Sequence, residues 1–231
     1  MHTLFCHLGL LDYRAAYDLQ TTLVDRRHRG ELDKDLFLIT EHPAVFTLGR
    51  RGGREHLLVS EDFLAAEDID LVPIERGGDI TYHGPGQLVL YPIMDLRRAR
   101  LSAGAFVSGL EELMLRLAND WGLPASRDSR NRGIWSGGKK LGSVGIAIRH
   151  GISFHGLALN VNPSLRPFTW INPCGLDGVE MTSITIESKQ EVTLPQVTAR
   201  LPLHLAAIFE RKFKEIDQAD LRLFFAPLPH K

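Results

Sequence analysis

Cys174 sits in the stretch WINPCGLDG, between a proline and a glycine and away from any sustained apolar run. A thiol is nucleophilic only as thiolate, and an unperturbed cysteine has a pKa of about 8.5, so this one needs a cation or base beside it. Three side chains are candidates: Lys140 in GGKKLGSVGIAI, His83 in TYHGPGQ and His155 in SFHGLALNV. As ammonium, a lysine stabilises a thiolate; as neutral amine, it takes the thiol proton. A histidine partner points instead to papain-like chemistry, but the local signature C-G-[SA]-C-[WY] is absent. His83, His155 and Cys174 lack CxxC, HxxxH or HExxH spacing, so no metal is expected. Cys6, in the apolar run TLFCHL, reads as structural.

Glycines gather around the same residues. ERGGDITYHGPGQ (75–87) holds four glycines and a proline between two strand-like runs, where a bare backbone can approach a ligand closely. It is neither GxxxxGK[ST] nor a GxGxxG opening a helix, so it is not a nucleotide phosphate loop. Gly142 and Gly145 interrupt another strand-like run, and alternation with Leu141 and Val144 can aim Lys140 along one face.

Periodicity supplies the elements that position these groups. Asp12 caps a helix toward His28, with Tyr13, Ala16, Tyr17, Gln20, Leu23 and Val24 at helical spacing and Gly30 ending it. DLFLIT (35–40), AVFTLG (44–49) and IDLVPIE (69–75) read as strands, with a short helix from a Ser60 cap to Ala66. After the glycine-rich loop comes the strand LVLYPIMDL. Ser102 then caps the longest helix, which Gly122 terminates. GIWS and KKLGSVGIAI flank a Gly137–Gly138 hairpin turn, and ISFHGLALNV follows a turn at His150–Gly151. VEMTSITIE (179–187) reads as one more strand, and Thr193 begins a final amphipathic helix through about Phe213. Hairpin-length connections between several strands predict the α+β class, with a mixed or antiparallel sheet carrying helices, in one domain spanning 1–231.

Composition narrows the function classes. The chain has 231 residues, 44% of them hydrophobic and 24% charged, which suits a globular protein with a sizeable core. Its net charge of −1 gives no global basic field for nucleic acid, and no apolar stretch is long enough for a bilayer. The N-terminus MHTLFCHLGLLDYR lacks the basic region and cleavage site of a signal peptide. Two cysteines make no disulfide framework, so a reducing, cytoplasmic location is expected.

Four segments in order, RGGDITYHGPGQLVLYP (76–92), GKKLGSVGIAI (138–148), SFHGLALNV (153–161) and INPCG (171–175), resemble the octanoyltransferases of lipoate synthesis over nearly the whole chain. The resemblance implies the fold of lipoate and biotin protein ligases: a larger mixed sheet and a smaller one, flanked by helices. It also implies a reaction, transfer of an octanoyl group from acyl carrier protein to a lysine of a lipoyl domain. The implied acceptors are the lipoyl domains of 2-oxoacid dehydrogenase complexes and the glycine cleavage H protein, with no cofactor. The family's acyl-thioester nucleophile falls on Cys174 and its lysine on Lys140 rather than Lys139. Its acyl-binding stretches fall on Arg76, Gly77, Gly78, Asp79, Ile80, Thr81, Tyr82 and His83; on Ser143, Val144 and Gly145; and on Gly156, Leu157 and Ala158, with His155 beside them. One departure is Gly142, where relatives more often carry Ala, a change expected to loosen the lysine strand slightly. The rival readings are an ATP-dependent ligase of the same fold, a non-catalytic acyl-binding module and a Cys–His hydrolase.

Overall fold

The computed structural model describes residues 2–173 and 178–223. β1 (His2–Leu10) leads into α1 (Tyr13–Arg29), where Asp12 Oδ1 accepts the Ala15 N–H at 3.0 Å and Gly30 closes the helix at φ 77°. β2 (Leu36–Glu41), β3 (Val45–Leu48), α2 (Glu61–Ala66, capped by Ser60) and β4 (Asp70–Pro73) follow. β5 (Thr81–His83) and β6 (Gln87–Ile93) precede α3 (Ala103–Asn119), capped by Ser102. β7 (Ala125–Asp128), β8 (Asn131–Ser136), β9 (Lys139–Arg149) and β10 (Ile152–Asn160) form an antiparallel run. Its two-residue turns hold Gly137–Gly138 and His150–Gly151 at positive φ, as type I′ hairpins require. α4 (Ile184–Ser188), α5 (Leu194–Thr198), α6 (Leu201–Phe209), β11 (Lys212–Glu215) and α7 (Gln218–Leu223) complete the order.

The larger sheet runs β11-β1-β2-β6-β10-β9-β8-β7, and is mixed because β1 is parallel to both β2 and β11 while the other pairs are antiparallel. Its central strands are buried on both faces, which is why they read as continuous apolar runs. On one face Leu38, Val89, Tyr91 and Phe154 meet Ala16, Leu23 and Val24 of α1. On the other, Phe37, Leu88, Leu90, Leu157 and Leu159 meet Phe106, Leu110 and Met114 of α3 and Leu205 of α6. The smaller sheet, β4-β3-β5, closes over Phe46, Ile80, Tyr82, Phe168 and Trp170. The class is α+β.

Three stretches depart from the sequence-based expectation. The glycine-rich loop contains β5, whose Tyr82 and Thr81 pair with Phe46 and Thr47 of β3. Residues 179–187 are not a strand: Ser183 accepts the Ile186 N–H and starts α4, so the alternating TSITI pattern marks a cap followed by one helical turn. The final helix is broken. Pro195 and Pro202 each occupy a first helical turn, where a missing N–H is tolerated, and so divide it into α5 and α6. Residues 212–215 then leave the helix to pair with β1 as an edge strand. Strand β7 has too few apolar residues to announce itself.

Candidate active site

The glycine-rich loop lies against β9. The Gly77 N–H donates to the Ile146 carbonyl at 2.9 Å, and Arg50 and Arg51 donate their N–H groups to the Arg76 and Gly78 carbonyls, each at 3.0 Å. This approach dictates residue type: a Cβ on Gly145 would lie 2.8 Å from the Gly77 oxygen, and one on Gly49 would lie 2.5 Å from the Gly78 oxygen. Arg76 is buried, its Nη2 donating to the Thr47 carbonyl at 2.7 Å and its Nη1 to the Gly77 carbonyl at 3.2 Å. Asp79 Oδ1 accepts the Ile80 N–H at 2.6 Å and faces His56 Nδ1 at 2.8 Å, fixing the end of the loop.

Between this loop and the larger sheet is a narrow slot with a cavity volume of about 40 Å³. Its floor is made of small residues in adjacent strands: Ser143 opposite Ala158, and Gly145 opposite Gly156. Arg76, Gly77, Gly78, Asp79, Thr81, His83, Val144, His155 and Leu157 complete the sequence-predicted lining. Ile80 and Tyr82 are not part of it; they turn into the small-sheet core. Tyr13, Val89, Tyr91 and Asn131 are lining residues that sequence reasoning missed. Tyr13 was legible as a buried-face residue of α1, and Val89 and Tyr91 as alternate positions on one face of β6.

Lys140 is fully buried. Strict alternation would put it on the same side as Gly142 and Val144, toward α3. However, Ile134 pairs with Gly142 and Trp135 with Lys140, leaving Leu141 as an extra residue, a β-bulge. Leu141 and Gly142 both turn toward α3, where a Cβ on Gly142 would lie 2.6 Å from Met114 Sδ. Lys140 is thereby carried to the opposite face, the face of Ser143 and Gly145. The ammonium stands 5.5 Å from the Trp135 ring centroid. Met114 thus occupies the space a methyl at position 142 would need.

Cys174 and Gly175 lie outside the described residues, and the chain on either side is held by hydrogen bonds. Before them, Leu58 donates its N–H to the Trp170 carbonyl and Asn172 donates to the His56 carbonyl, each at 2.8 Å. After them, the Lys140 N–H donates to the Glu180 carbonyl at 2.8 Å, and the Thr182 N–H to the Lys140 carbonyl at 2.9 Å. The segment from Glu180 to Thr182, which follows Cys174 in the chain, is therefore clamped to the backbone of Lys140.

The slot's histidines are held neutral by burial. His83 is pushed well below its ordinary value, chiefly by burial, and its Nδ1 lies 2.7 Å from Gln87 Oε1. His42, behind it, is pushed down to about 4 by burial. Its Nδ1 faces the Leu11 carbonyl at 2.7 Å and so carries the proton, leaving Nε2 to accept from the Tyr91 hydroxyl at 2.7 Å. His155 is also shifted down by burial; neither ring nitrogen has a hydrogen-bond partner, and Nε2 is 3.8 Å from Glu75 Oε2. Glu75 is held down to about 2, first by His155 and against its own partial burial. Cys6 is the contrast: fully buried beneath α1, its thiol is pushed up to about 11 by burial and is unreactive.

A second cavity, of about 460 Å³, shares the Gly77–Gly78 and Val144–Gly145 walls of the slot. Arg50, Arg51 and Arg132 line it, and Arg54 pairs with Glu61.

Comparison with known proteins identifies the group to which this architecture belongs. Residues 12–206 match the family described as Lipoyl protein ligase A/B catalytic domain. An octanoyltransferase of Desulfotalea psychrophila is 53% identical over 204 residues, covering 87% of this chain and 92% of that one. One from Syntrophobacter fumaroxidans is 46% identical, covering 90% and 91%. A bipartite lipoate protein ligase from Thermoplasma acidophilum shares the fold, with a TM-score of 0.70 over 98% of this chain and 93% of that one at 17% identity. The chain belongs to the lipoyl protein ligase A/B catalytic-domain family and, within it, to the octanoyltransferases, and is an acyltransferase.

Proposed function

We propose that this chain moves an octanoyl group from the thioester of acyl carrier protein to a lysine of lipoyl domains, through an octanoyl thioester on Cys174. The acceptors are the lipoyl domains of 2-oxoacid dehydrogenase complexes and the glycine cleavage H protein, met in the cytoplasm by residues 1–231 acting as one catalytic domain. The observation that carries the reading is the fully buried Lys140, re-aimed by a bulge and clamped by the segment that follows Cys174.

In the first half-reaction Lys140 stabilises the Cys174 thiolate, which attacks the thioester carbonyl. Backbone N–H groups near Cys174 or in the glycine-rich loops stabilise the oxyanion. The carbon–sulfur bond to the carrier breaks, its thiolate takes the proton of the Lys140 ammonium, and octanoyl remains on Cys174 beside a now neutral Lys140 amine. In the second half-reaction the acceptor lysine attacks as neutral amine, Lys140 removes its excess proton, and the Cys174 thiolate leaves. Thioester to thioester is nearly isoenergetic and thioester to amide is downhill, so no ATP is consumed. The small-residue floor suits an unbranched alkyl chain, each buried CH₂ contributing about 0.8 kcal/mol.

Intact-mass measurement after incubation with octanoyl acyl carrier protein tests the scheme. The expected result is one octanoyl adduct on Cys174 that disappears when lipoyl domain is added. An unchanged transfer rate in Cys174→Ala, or rapid transfer from free octanoate only when ATP is present, would overturn it.

A further inference from the structure

The geometry points to Asn160 as the residue that positions Lys140, by fixing its main chain through Thr182; this rests on the reading of Cys174 and Lys140 as the reacting pair. Asn160 ends β10 and is fully buried. Its Oδ1 accepts from Gln87 Nε2 at 2.9 Å and its Nδ2 donates to the Thr182 carbonyl at 2.9 Å. Thr182 then donates its N–H to the Lys140 carbonyl at 2.9 Å. On the other side, Gln87 Oε1 accepts from His83 Nδ1 at 2.7 Å. An unbroken line of buried hydrogen bonds therefore runs from the slot wall at His83, through Gln87 and Asn160, to the main chain of Lys140.

The need for such a device lies in the segment that leaves the cysteine turn. Among the described residues, this segment has no strand ladder and makes a single bridge, Met181 with Lys140. That bridge and the Lys139–Glu180 ion pair tie the segment to β9 alone, with freedom to tilt away from β10. The Asn160 amide removes that freedom because it is a donor and an acceptor on one rigid plane, filling Gln87 and Thr182 at once. Aspartate cannot donate to the Thr182 carbonyl, and alanine would leave a buried carbonyl and a buried amide N–H unsatisfied. The link also ties the slot wall to Lys140, so the wall that meets the acyl chain and the group that activates the thiol are set by the same bonds. Asn160 touches no reacting atom; it is a positioning residue.

The test reads the thiolate directly. The rate of Cys174 alkylation by iodoacetamide, followed by peptide mapping, is measured against pH, alongside single-turnover octanoylation and thermal stability. Asn160→Ala is expected to move the alkylation midpoint upward and to slow octanoylation about tenfold, the scale of one lost buried hydrogen bond with its partner stranded. Gln87→Leu, which cuts the line one bond further away, should move both in the same direction and serves if Asn160→Ala does not fold. Ser153→Ala is the control: Ser153 is fully buried and donates to the Pro92 carbonyl, outside this line, so it should lower stability without moving the midpoint. In a Lys140→Ala background, Asn160→Ala should add nothing to the midpoint. A loss of thermal stability in Asn160→Ala and Gln87→Leu with an unmoved midpoint would overturn the inference, as would a shift that persists without Lys140. An unmoved midpoint in Lys140→Ala alone would instead overturn the reading of the reacting pair, so the two failures are separable.

Discussion

A fully buried lysine is rare among protein side chains, and the neighbourhood of Lys140 offers it an aromatic face and a backbone clamp. Proton removal and charge stabilisation make different demands on such a group. Arginine keeps the charge but does not give up a proton at any working pH, so Lys140→Arg separates the two roles. The expected outcome is an octanoyl adduct that still forms on Cys174 but transfers to lipoyl domain on the order of 100-fold more slowly, seen as a burst without turnover. His155 asks for a different explanation. A non-glycine residue at φ 53° whose two ring nitrogens lack hydrogen bonds, with only Glu75 within ion-pair reach, is strained and under-satisfied, and such groups concentrate where ligands bind.

At the scale of elements, the slot depends on main chain meeting main chain. A Cβ on Gly156 would lie 2.0 Å from the Leu90 carbonyl oxygen, a backbone atom that cannot rotate away. Gly156→Ala is therefore expected to destabilise by about 1–3 kcal/mol in urea denaturation. Gly142→Ala should lose less, because its severest obstruction is the flexible Met114 side chain, and the nearest backbone atom, the Ala158 oxygen, would lie at 3.1 Å. These contacts also explain what could be read beforehand. Caps at Asp12, Ser60 and Ser102 and the I′ turns declare themselves within a few residues, since their signals are local. The bulge at Leu141 is decided by what packs on each face, so strict alternation missed it. Likewise β5 is a strand only because β3 lies beside it, and 179–187 mimics a strand because cap residues and β-branched residues share one pattern. The slot's glycines were visible as glycines; the oxygens they make room for were not.

For the molecule as a whole, burial sets the response to acid. His42 and His83 are neutral in the fold and His155 protonates less readily there than in the unfolded chain, where all three bind protons below about 6.5. The unfolded state therefore takes up more protons as pH falls from 6.5. Stability is full above that value and declines toward pH 4, by up to about 1.4 kcal/mol per pH unit for His42 alone. Glu75 adds a loss only below about 4.5, as it protonates on the way down to 2. Urea midpoints at pH 7.5, 6 and 5 should thus fall in that order. Charge is unevenly spread despite a net of −1: Arg50, Arg51 and Arg132 gather around the cavity beside the slot, while its one carboxylate, Glu75, is engaged by Arg149 and the Tyr17 hydroxyl. An acidic carrier protein is expected to dock there, so Arg51→Ala should raise KM for octanoyl carrier protein several-fold and leave that for a small octanoyl thioester unchanged.

The small-residue floor has a consequence for how this enzyme's selectivity can change. Ser143, Gly145, Gly156 and Ala158 have almost no side-chain atoms to remove, and the surface opposite them is largely main chain. Substitution at the two glycines can only subtract room, and at Ser143 and Ala158 the most that can be gained is the space of one or two atoms. Variants accepting shorter chains are then a single substitution away, as in Ala158→Val, whereas longer chains require the glycine-rich loop to move away from the larger sheet. Laboratory selection from this starting point should find the first readily and the second seldom, an asymmetry fixed by the direction in which a glycine can mutate.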